Sequence, residues 1–185
     1  MDKGKREDIV MDKPMSDASF KLMSLAFKFR DSLQDPADIL KQAGVKPGHH
    51  VLDYGCGPGA YTIAAAKMVT DSGKVYAVDI HPMATKQVES TASRKKLSNI
   101  ETILTDRATG LPDESMDVVL LYDILHDLDS PQDILAELHR ILKPDGTLSI
   151  SDHHLKDRDI TSQITGPGLF KLSNRGEKVY NFSKI

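Results

Sequence analysis

Val51-Leu52-Asp53-Tyr54-Gly55-Cys56-Gly57-Pro58-Gly59-Ala60-Tyr61-Thr62 decides the fold of this chain. The stretch reads as a short apolar strand, a loop with three alternate glycines, and the opening of a helix. Glycine lets backbone approach a ligand closely, and a helix N-terminus offers N–H groups that have no partner within the helix. A strand that feeds a helix this way makes a nucleotide-class pocket at the carboxyl end of a strand in an open α/β sheet.

Downstream, Tyr61 to Val69 predicts an Ala-rich helix that Asp71-Ser72-Gly73 ends. Lys74–Asp79 is a second strand, nearly all apolar, as expected when both faces of a parallel sheet are covered. Met83 to Lys96 reads as a helix with Arg94-Lys95-Lys96 in its last turn. Ile100–Leu104 is a third strand and Asp117–Tyr122 a fourth, with the loop Leu111–Ser115 before it. Pro131 to Leu142 is an amphipathic helix, and Lys143-Pro144-Asp145-Gly146 is a turn into a fifth strand, Thr147–Ser151. Short strands around Leu169–Leu172 and Lys178–Phe182, joined by Asn174-Arg175-Gly176, form a hairpin. Strand and helix alternate five times before the ending turns antiparallel, which specifies a doubly wound α/β domain.

Upstream, Ser16 or Asp17 can cap a helix that carries Phe20, Met23, Leu25, Phe27 and Phe29 and runs to Arg30. That helix either packs on the domain or lies over the site as a lid. Asp35-Pro36 begins a short helix through Leu40, and Val45-Lys46-Pro47-Gly48 turns into the first strand. Met1–Pro14 is rich in Lys, Asp and Glu and is expected to be a flexible tail. Residues 15–185 then form one domain, with 15–44 as its N-terminal helices or lid.

Composition sets outer bounds. At 185 residues, 39% hydrophobic and 28% charged, the chain has ordinary globular usage. A net charge of −3 gives no electrostatic reason to expect nucleic acid or an anionic membrane as partner. The single cysteine cannot make an internal disulfide, which suits a reducing compartment. No apolar run approaches the roughly 20 residues that span a bilayer, and the polar start is not expected to act as a signal peptide. The expected location is cytoplasmic.

The glycines leave the ligand open, because Gly55-x-Gly57-x-x-Ala60 also satisfies a dinucleotide fingerprint. Asp53 argues for a cation: a pyrophosphate at this turn would meet a carboxylate in a low-dielectric loop. Pro58 removes one N–H that a phosphate would use. A ligand with an ammonium and a sulfonium, such as S-adenosylmethionine, is attracted instead. Asp79 closes the second strand 20 residues beyond Gly59, where a carboxylate can accept both hydroxyls of an adenosine ribose. Asp106 ends the third strand, placed for the adenine amino group with Arg107 at the rim.

On these residues the chain resembles the class I S-adenosylmethionine-dependent methyltransferases, especially the small-molecule group that includes the quinone-biosynthesis enzymes. The matching pieces are Val51–Gly59, Tyr76-Ala77-Val78-Asp79, Asp117-Val118-Val119-Leu120 with Leu125-His126, and Arg140-Ile141-Leu142-Lys143-Pro144-Asp145-Gly146. The resemblance implies a seven-stranded Rossmann-like sheet of order 3-2-1-4-5-7-6 with the last strand antiparallel. It also implies that Asp53, Gly55 and Gly57 line the methionine end, Asp79 holds the ribose, Asp106 meets the adenine and Ile80 packs on its ring. Cys56 and Gly59 belong to the same loop, with Cys56 as a small space-filler. S-adenosylhomocysteine would be the product.

Methyl transfer from a sulfonium is an in-line displacement, so the protein must mainly align the acceptor and exclude water. A base is needed only when the acceptor loses a proton. Candidates are Tyr122, Asp123 and His126 after the fourth strand, with Asp152, His153 and His154 after the fifth. His126 can serve as base or as a helix-start residue bonded to backbone. Asp123 with Asp152-His153 carries metal-ligating groups, yet carboxylates at loop ends more often face solvent or substrate, and no metal is expected. His49-His50 is a polar turn at the far end of the sheet. Only Leu155 to Gly168 separates the fifth strand from the hairpin, so recognition of a small organic acceptor falls to this segment, the N-terminal helix or a second copy in a homodimer. An NAD-dependent oxidoreductase and a non-catalytic S-adenosylmethionine-binding subunit are the alternatives.

Overall fold

The computed structural model describes residues 14, 16–22 and 35–185. The expected tail, Pro14 apart, and the continuation of the first helix to Arg30 lie outside the described residues.

A first helical segment, α1, covers 17–22 and buries Phe20. In α2 (Pro36–Gln42) the Asp35 carboxylate accepts from the Ala37 amide at 2.9 Å, and proline occupies the first turn where its missing N–H costs nothing. The chain continues as β1 (His50–Tyr54), α3 (Ala60–Val69), β2 (Lys74–Asp79), α4 (Pro82–Lys95), β3 (Ile100–Leu104) and β4 (Met116–Tyr122). A single 3-10 turn at Leu125–Asp127 precedes α5 (Pro131–Ile141), β5 (Leu142–Ser151), α6 (Asp157–Thr165), β6 (Phe170–Arg175) and β7 (Tyr180–Lys184).

The seven strands form one sheet in the order β3-β2-β1-β4-β5-β7-β6. Pairing is parallel except for β7, which runs antiparallel to β5 and β6. This is the doubly wound, Rossmann-like topology that the resemblance implies. The order reverses between β1 and β4, where consecutive connections leave in opposite directions and open a crevice. Tyr54 sits level with Val78 and with Leu121, so the carboxyl ends of β1, β2 and β4 share one rim.

Alternation along the strands separates two cores. Leu52, Tyr54, Val119, Leu121, Leu148 and Ile150 face α5 and α6, meeting Ile134, Leu135, Leu138, Ile160 and Ile164. Val51, Val75, Val118 and Leu120 face the other way, onto Ile39 and Leu40 of α2 and Ala65, Ala66 and Val69 of α3. Small residues also set the approach of α4, whose Ala84 and Val88 pack with Ala77, Cys56 and Phe20.

Four local expectations are corrected. Residues 157–165 form α6, anchored by Ile160 and Ile164, rather than a bare connection. Strand β5 begins at Leu142, which pairs with Met116, so Lys143-Pro144-Asp145-Gly146 is an irregular strand entry across a register shift and not a free turn. The hairpin closes later, with the Gly176 amide donating to Val179 O at 2.8 Å. Helix α4 starts at Pro82, because the His81 ring Nδ1 accepts from the Met83 amide at 3.1 Å and caps it.

One side chain ties distant parts together. Gln42 Oε1 accepts from the Glu177 amide at 2.9 Å and the Lys178 amide at 3.3 Å, while Asn181 Nδ2 donates to Gln42 O at 2.7 Å. Helix α2 therefore holds the β6–β7 turn.

Candidate active site

The crevice at the strand ends holds a cavity of about 360 Å³, within the size range of small-molecule sites. Gly55, Gly57, Asp79, Ile80, Asp106 and Tyr122 line it, together with Asp123. Gly55, Gly57, Asp79, Ile80 and Asp106 are positions expected to meet an adenosyl ligand, brought from the ends of β1, β2 and β3, and Tyr122 and Asp123 join them from the end of β4. Phe20, from the helix read either as packing on the domain or as a lid, stacks on His81 with ring centroids 4.5 Å apart, and both line the cavity; His81 was not among the expected site residues. The His81-Pro82 helix start was the available signal for His81.

The glycine loop spends its own amides. Gly55 and Cys56 N–H both donate to Val78 O, at 2.8 and 2.9 Å, and Gly59 N–H donates to Cys56 O at 3.0 Å. Gly57 N–H donates to Asp79 Oδ2 at 2.8 Å, and Pro58 has no N–H. Across 55–59 each backbone donor is engaged inside the protein. Such a loop cannot cradle a pyrophosphate as free amides do.

Asp79 also accepts from the His81 amide, through Oδ1 at 2.8 Å. Burial raises its pKa, opposed by the His81 and Gly57 amides. Each carboxylate oxygen has a second lone pair, so both remain able to accept hydroxyls. Asp106 Oδ2 is buried without a hydrogen-bond partner, while the Tyr54 hydroxyl donates to Asp106 O at 2.9 Å and fixes the backbone there. A buried acceptor left open in a cavity wall is the fit expected for an amino donor on the ligand. These two acids are what would hold the ribose and the purine.

Other expected ligand residues sit elsewhere. Asp53 is 2% exposed and does not line the cavity; its Oδ2 accepts the Thr62 hydroxyl at 2.5 Å beneath the loop. Burial raises its pKa to about 6, opposed by the Thr62 hydrogen bond and assisted by Asp79. The folded protein thus holds the Asp53 proton more tightly than the unfolded chain. Stability should therefore fall as pH rises from about 4 to about 7, by on the order of 3 kcal/mol. Asp53→Asn should flatten that fall, read as the urea midpoint against pH; an unchanged slope would contradict the assignment.

Cys56 is buried behind the loop, where burial pushes its thiol up and leaves it unreactive. Gly59 faces a separate groove beside Pro36 and Arg94. Arg107 extends to Asp133, 3.4 Å away, and is not part of the cavity wall. The Tyr122 hydroxyl bonds to Ser149 Oγ at 2.9 Å, and burial raises its pKa far beyond any proton-transfer role. Tyr122 contributes a ring to the wall.

The expected proton-transfer residues meet in an interlocked cluster. Asp123, in left-handed backbone at φ +53, accepts from His153 Nδ1 at 2.5 Å. Asp152 reaches back to His126: its Oδ2 lies 2.8 Å from His126 Nδ1 and accepts the His126 amide at 3.1 Å. Burial alone would raise Asp152, but hydrogen bonds from the His126 ring and the His154 amide outweigh it and hold its carboxyl below the usual range. The His154 ring lies between the other two imidazoles, 4.2 Å from His126 and 4.1 Å from His153. Each strand end thus sends a carboxylate to the other's histidine. Among the described residues, no group of three or more His, Cys, Asp or Glu is arranged to hold a metal ion, and no helix is long and apolar enough to cross a membrane.

Comparison with known proteins gives this geometry a family. A family model described as a methyltransferase domain matches residues 45–175. The demethylmenaquinone methyltransferase of Geobacillus stearothermophilus is 31% identical over 131 residues, covering 70% of this chain and 56% of that protein. The (S)-coclaurine N-methyltransferase of Thalictrum flavum subsp. glaucum is 28% identical over 75% of this chain and 40% of its own length. The chain thus spans about half the length of these curated relatives. A crystal structure of a SAM-dependent methyltransferase from Aquifex aeolicus superposes with a TM-score of 0.79 at 25% identity, covering 92% of this chain and 98% of that one. With a family match that takes in the glycine loop, all three acid-bearing strand ends and the sheet as far as β6, the chain belongs to the methyltransferase-domain family.

Proposed function

We propose that the protein transfers a methyl group from S-adenosylmethionine to a small organic acceptor. The observation that carries this reading is the spent glycine loop: Gly57 N–H is given to Asp79, and the remaining loop amides are given to the loop itself and to β2. That leaves a ribose site without a phosphate site. The cavity wall adds Asp123, Asp127 and Asp129 to Asp79 and Asp106, an acidic lining suited to a cationic ligand. S-adenosylmethionine supplies a methyl carbon already activated by a cationic sulfur.

The chain's own residues then have positioning tasks. Asp79 accepts the ribose hydroxyls, and Asp106 accepts the adenine amino group. Phe20 and His81 cover the cavity and exclude water. Asp123 stands where β4 ends, between this cavity and the space beside β5. The printed names of the relatives include a quinone precursor and an amine as acceptors, so family membership favours a small molecule without choosing the accepting atom.

Calorimetry on the full chain tests the reading. S-adenosylmethionine and S-adenosylhomocysteine should bind and NAD should not. Binding of NAD alone would overturn it in favour of an oxidoreductase. Tritium transfer from labelled S-adenosylmethionine into cell extract should follow; tight binding with no transfer would make the chain a binding subunit.

A further inference from the structure

A second cavity, of about 520 Å³, opens beside β5 and shares one lining residue with the first, Asp123. Its walls come from elements remote in sequence: Ile39 of α2, Tyr61 of α3, Ile160 of α6 and Tyr180 of β7. The Gln42 clasp holds the turn 176–178 that closes one side. Those four residues make its apolar side, Asp157, Arg175, Glu177 and Lys178 add charged groups, and Asp123 and His153 bring polar groups to the part nearest the cofactor cavity.

We propose that this cavity receives the methyl acceptor and that His153 is its proton acceptor, with Asp123 as the residue that positions the ring. The inference rests on the methyltransferase reading above and assigns the base within it. His153 Nδ1 lies 2.5 Å from Asp123 Oδ1. A carboxylate there fixes Nδ1 as the protonated nitrogen, which leaves the lone pair on Nε2. His153 lines the second cavity and its side chain is 58% exposed, so an incoming ligand can reach it. His126 has the better-known look of a base but lines neither cavity, and its ring and amide are both tied to Asp152. His126 is a clasp between β4 and β5.

The acceptor class follows from the chemistry of the walls: a molecule with an aromatic body for the Tyr61, Tyr180, Ile39 and Ile160 side, polar substituents for the charged side, and a reacting atom that carries a removable proton, such as an aromatic hydroxyl. In the step, the O–H bond breaks and its proton goes to His153 Nε2. An oxygen lone pair forms the bond to the methyl carbon, and the carbon–sulfur bond breaks with its electrons kept by sulfur as a thioether. Asp123 stabilises the imidazolium that results, and charge balances, since the sulfonium positive charge ends on His153.

The probe is 4-nitrophenol, whose ionised form is seen directly by its absorbance. Titrated into the full chain near pH 6.5, with and without S-adenosylhomocysteine, it should bind and show more phenolate than in free solution. His153→Gln should abolish the excess phenolate while leaving S-adenosylhomocysteine affinity within about twofold, and His126→Gln should retain the excess. Once an acceptor is in hand, His153→Gln should lower kcat by about 10²–10⁴-fold with cofactor affinity kept. The proposal is overturned if 4-nitrophenol does not bind, if the phenolate excess survives in His153→Gln, or if His126→Gln alone removes it. Failure of S-adenosylhomocysteine to bind the unmutated chain would instead defeat the methyltransferase reading, and the probe without cofactor still reports on His153.

Discussion

Asp79→Ala should all but eliminate binding of S-adenosylhomocysteine. Two hydroxyls accepted by one carboxylate are charge-assisted hydrogen bonds, each contributing about 1.5–3 kcal/mol. Their loss corresponds to roughly 10²–10⁴-fold in affinity. The variant loses more than the ligand contacts, since Asp79 also accepts the amides of Gly57 and His81 at 2.8 Å each. Both the glycine loop and the cap of α4 would lose an anchor. Asp79→Asn should fall between, because it retains one acceptor oxygen and places a donor where an acceptor is needed. Calorimetry decides the matter: an Asp79→Ala affinity within threefold of the unmutated chain would remove the ribose assignment.

Gly59→Ala is expected to give the largest loss of stability among single-atom additions near the site. Gly59 has φ +88, and a Cβ there would lie 2.6 Å from Cγ2 of Val88, a branched, fully buried side chain of α4. Left-handed backbone costs a non-glycine residue roughly 1–2 kcal/mol, and overpacking adds about 1–3 kcal/mol. A drop of about 2–5 kcal/mol in urea unfolding is expected. Gly110→Ala isolates the backbone part, since Gly110 also has positive φ, +71, with nothing within 4 Å of its added Cβ. The double variant Gly59→Ala, Val88→Ala should recover the packing part only. Equal losses at Gly59 and Gly110 would show that the contact with Val88 is not tight.

Most of the fold was legible because a parallel sheet covered on both faces leaves unmistakable apolar runs, as at Val75–Val78 and Val118–Leu121. Asp79 was placed at the strand end because it closes the run Val75–Val78, and Asp106 because it lies two residues past Ile100–Leu104; both line the cavity. Helix α6 was not, because only Ile160 and Ile164 are buried along it and two positions make a faint periodicity. Lys143-Pro144-Asp145-Gly146 has every residue of a tight turn, yet tertiary pairing of Leu142 with Met116 draws it into β5. Asp53 shows the limit of reasoning by proximity in sequence. Alternation along β1 sets Asp53 opposite Leu52 and Tyr54 and on the face of Val51, so its carboxylate points toward α3 and meets Thr62. The stacking of Phe20 on His81 and the exchange of carboxylates between Asp123 and Asp152 were invisible because they depend on which loops meet in space.

Among the described residues, the two cavities share Asp123 alone. A chain built this way is modular in the sense that matters to natural selection. Substitutions at Ile39, Ile160, Lys178 or Tyr180 can reshape one chamber while the residues that line the other stay untouched. On the proposed function, a change to the acceptor chamber leaves the lining of the donor chamber in place, whereas a change at Asp123 reaches both.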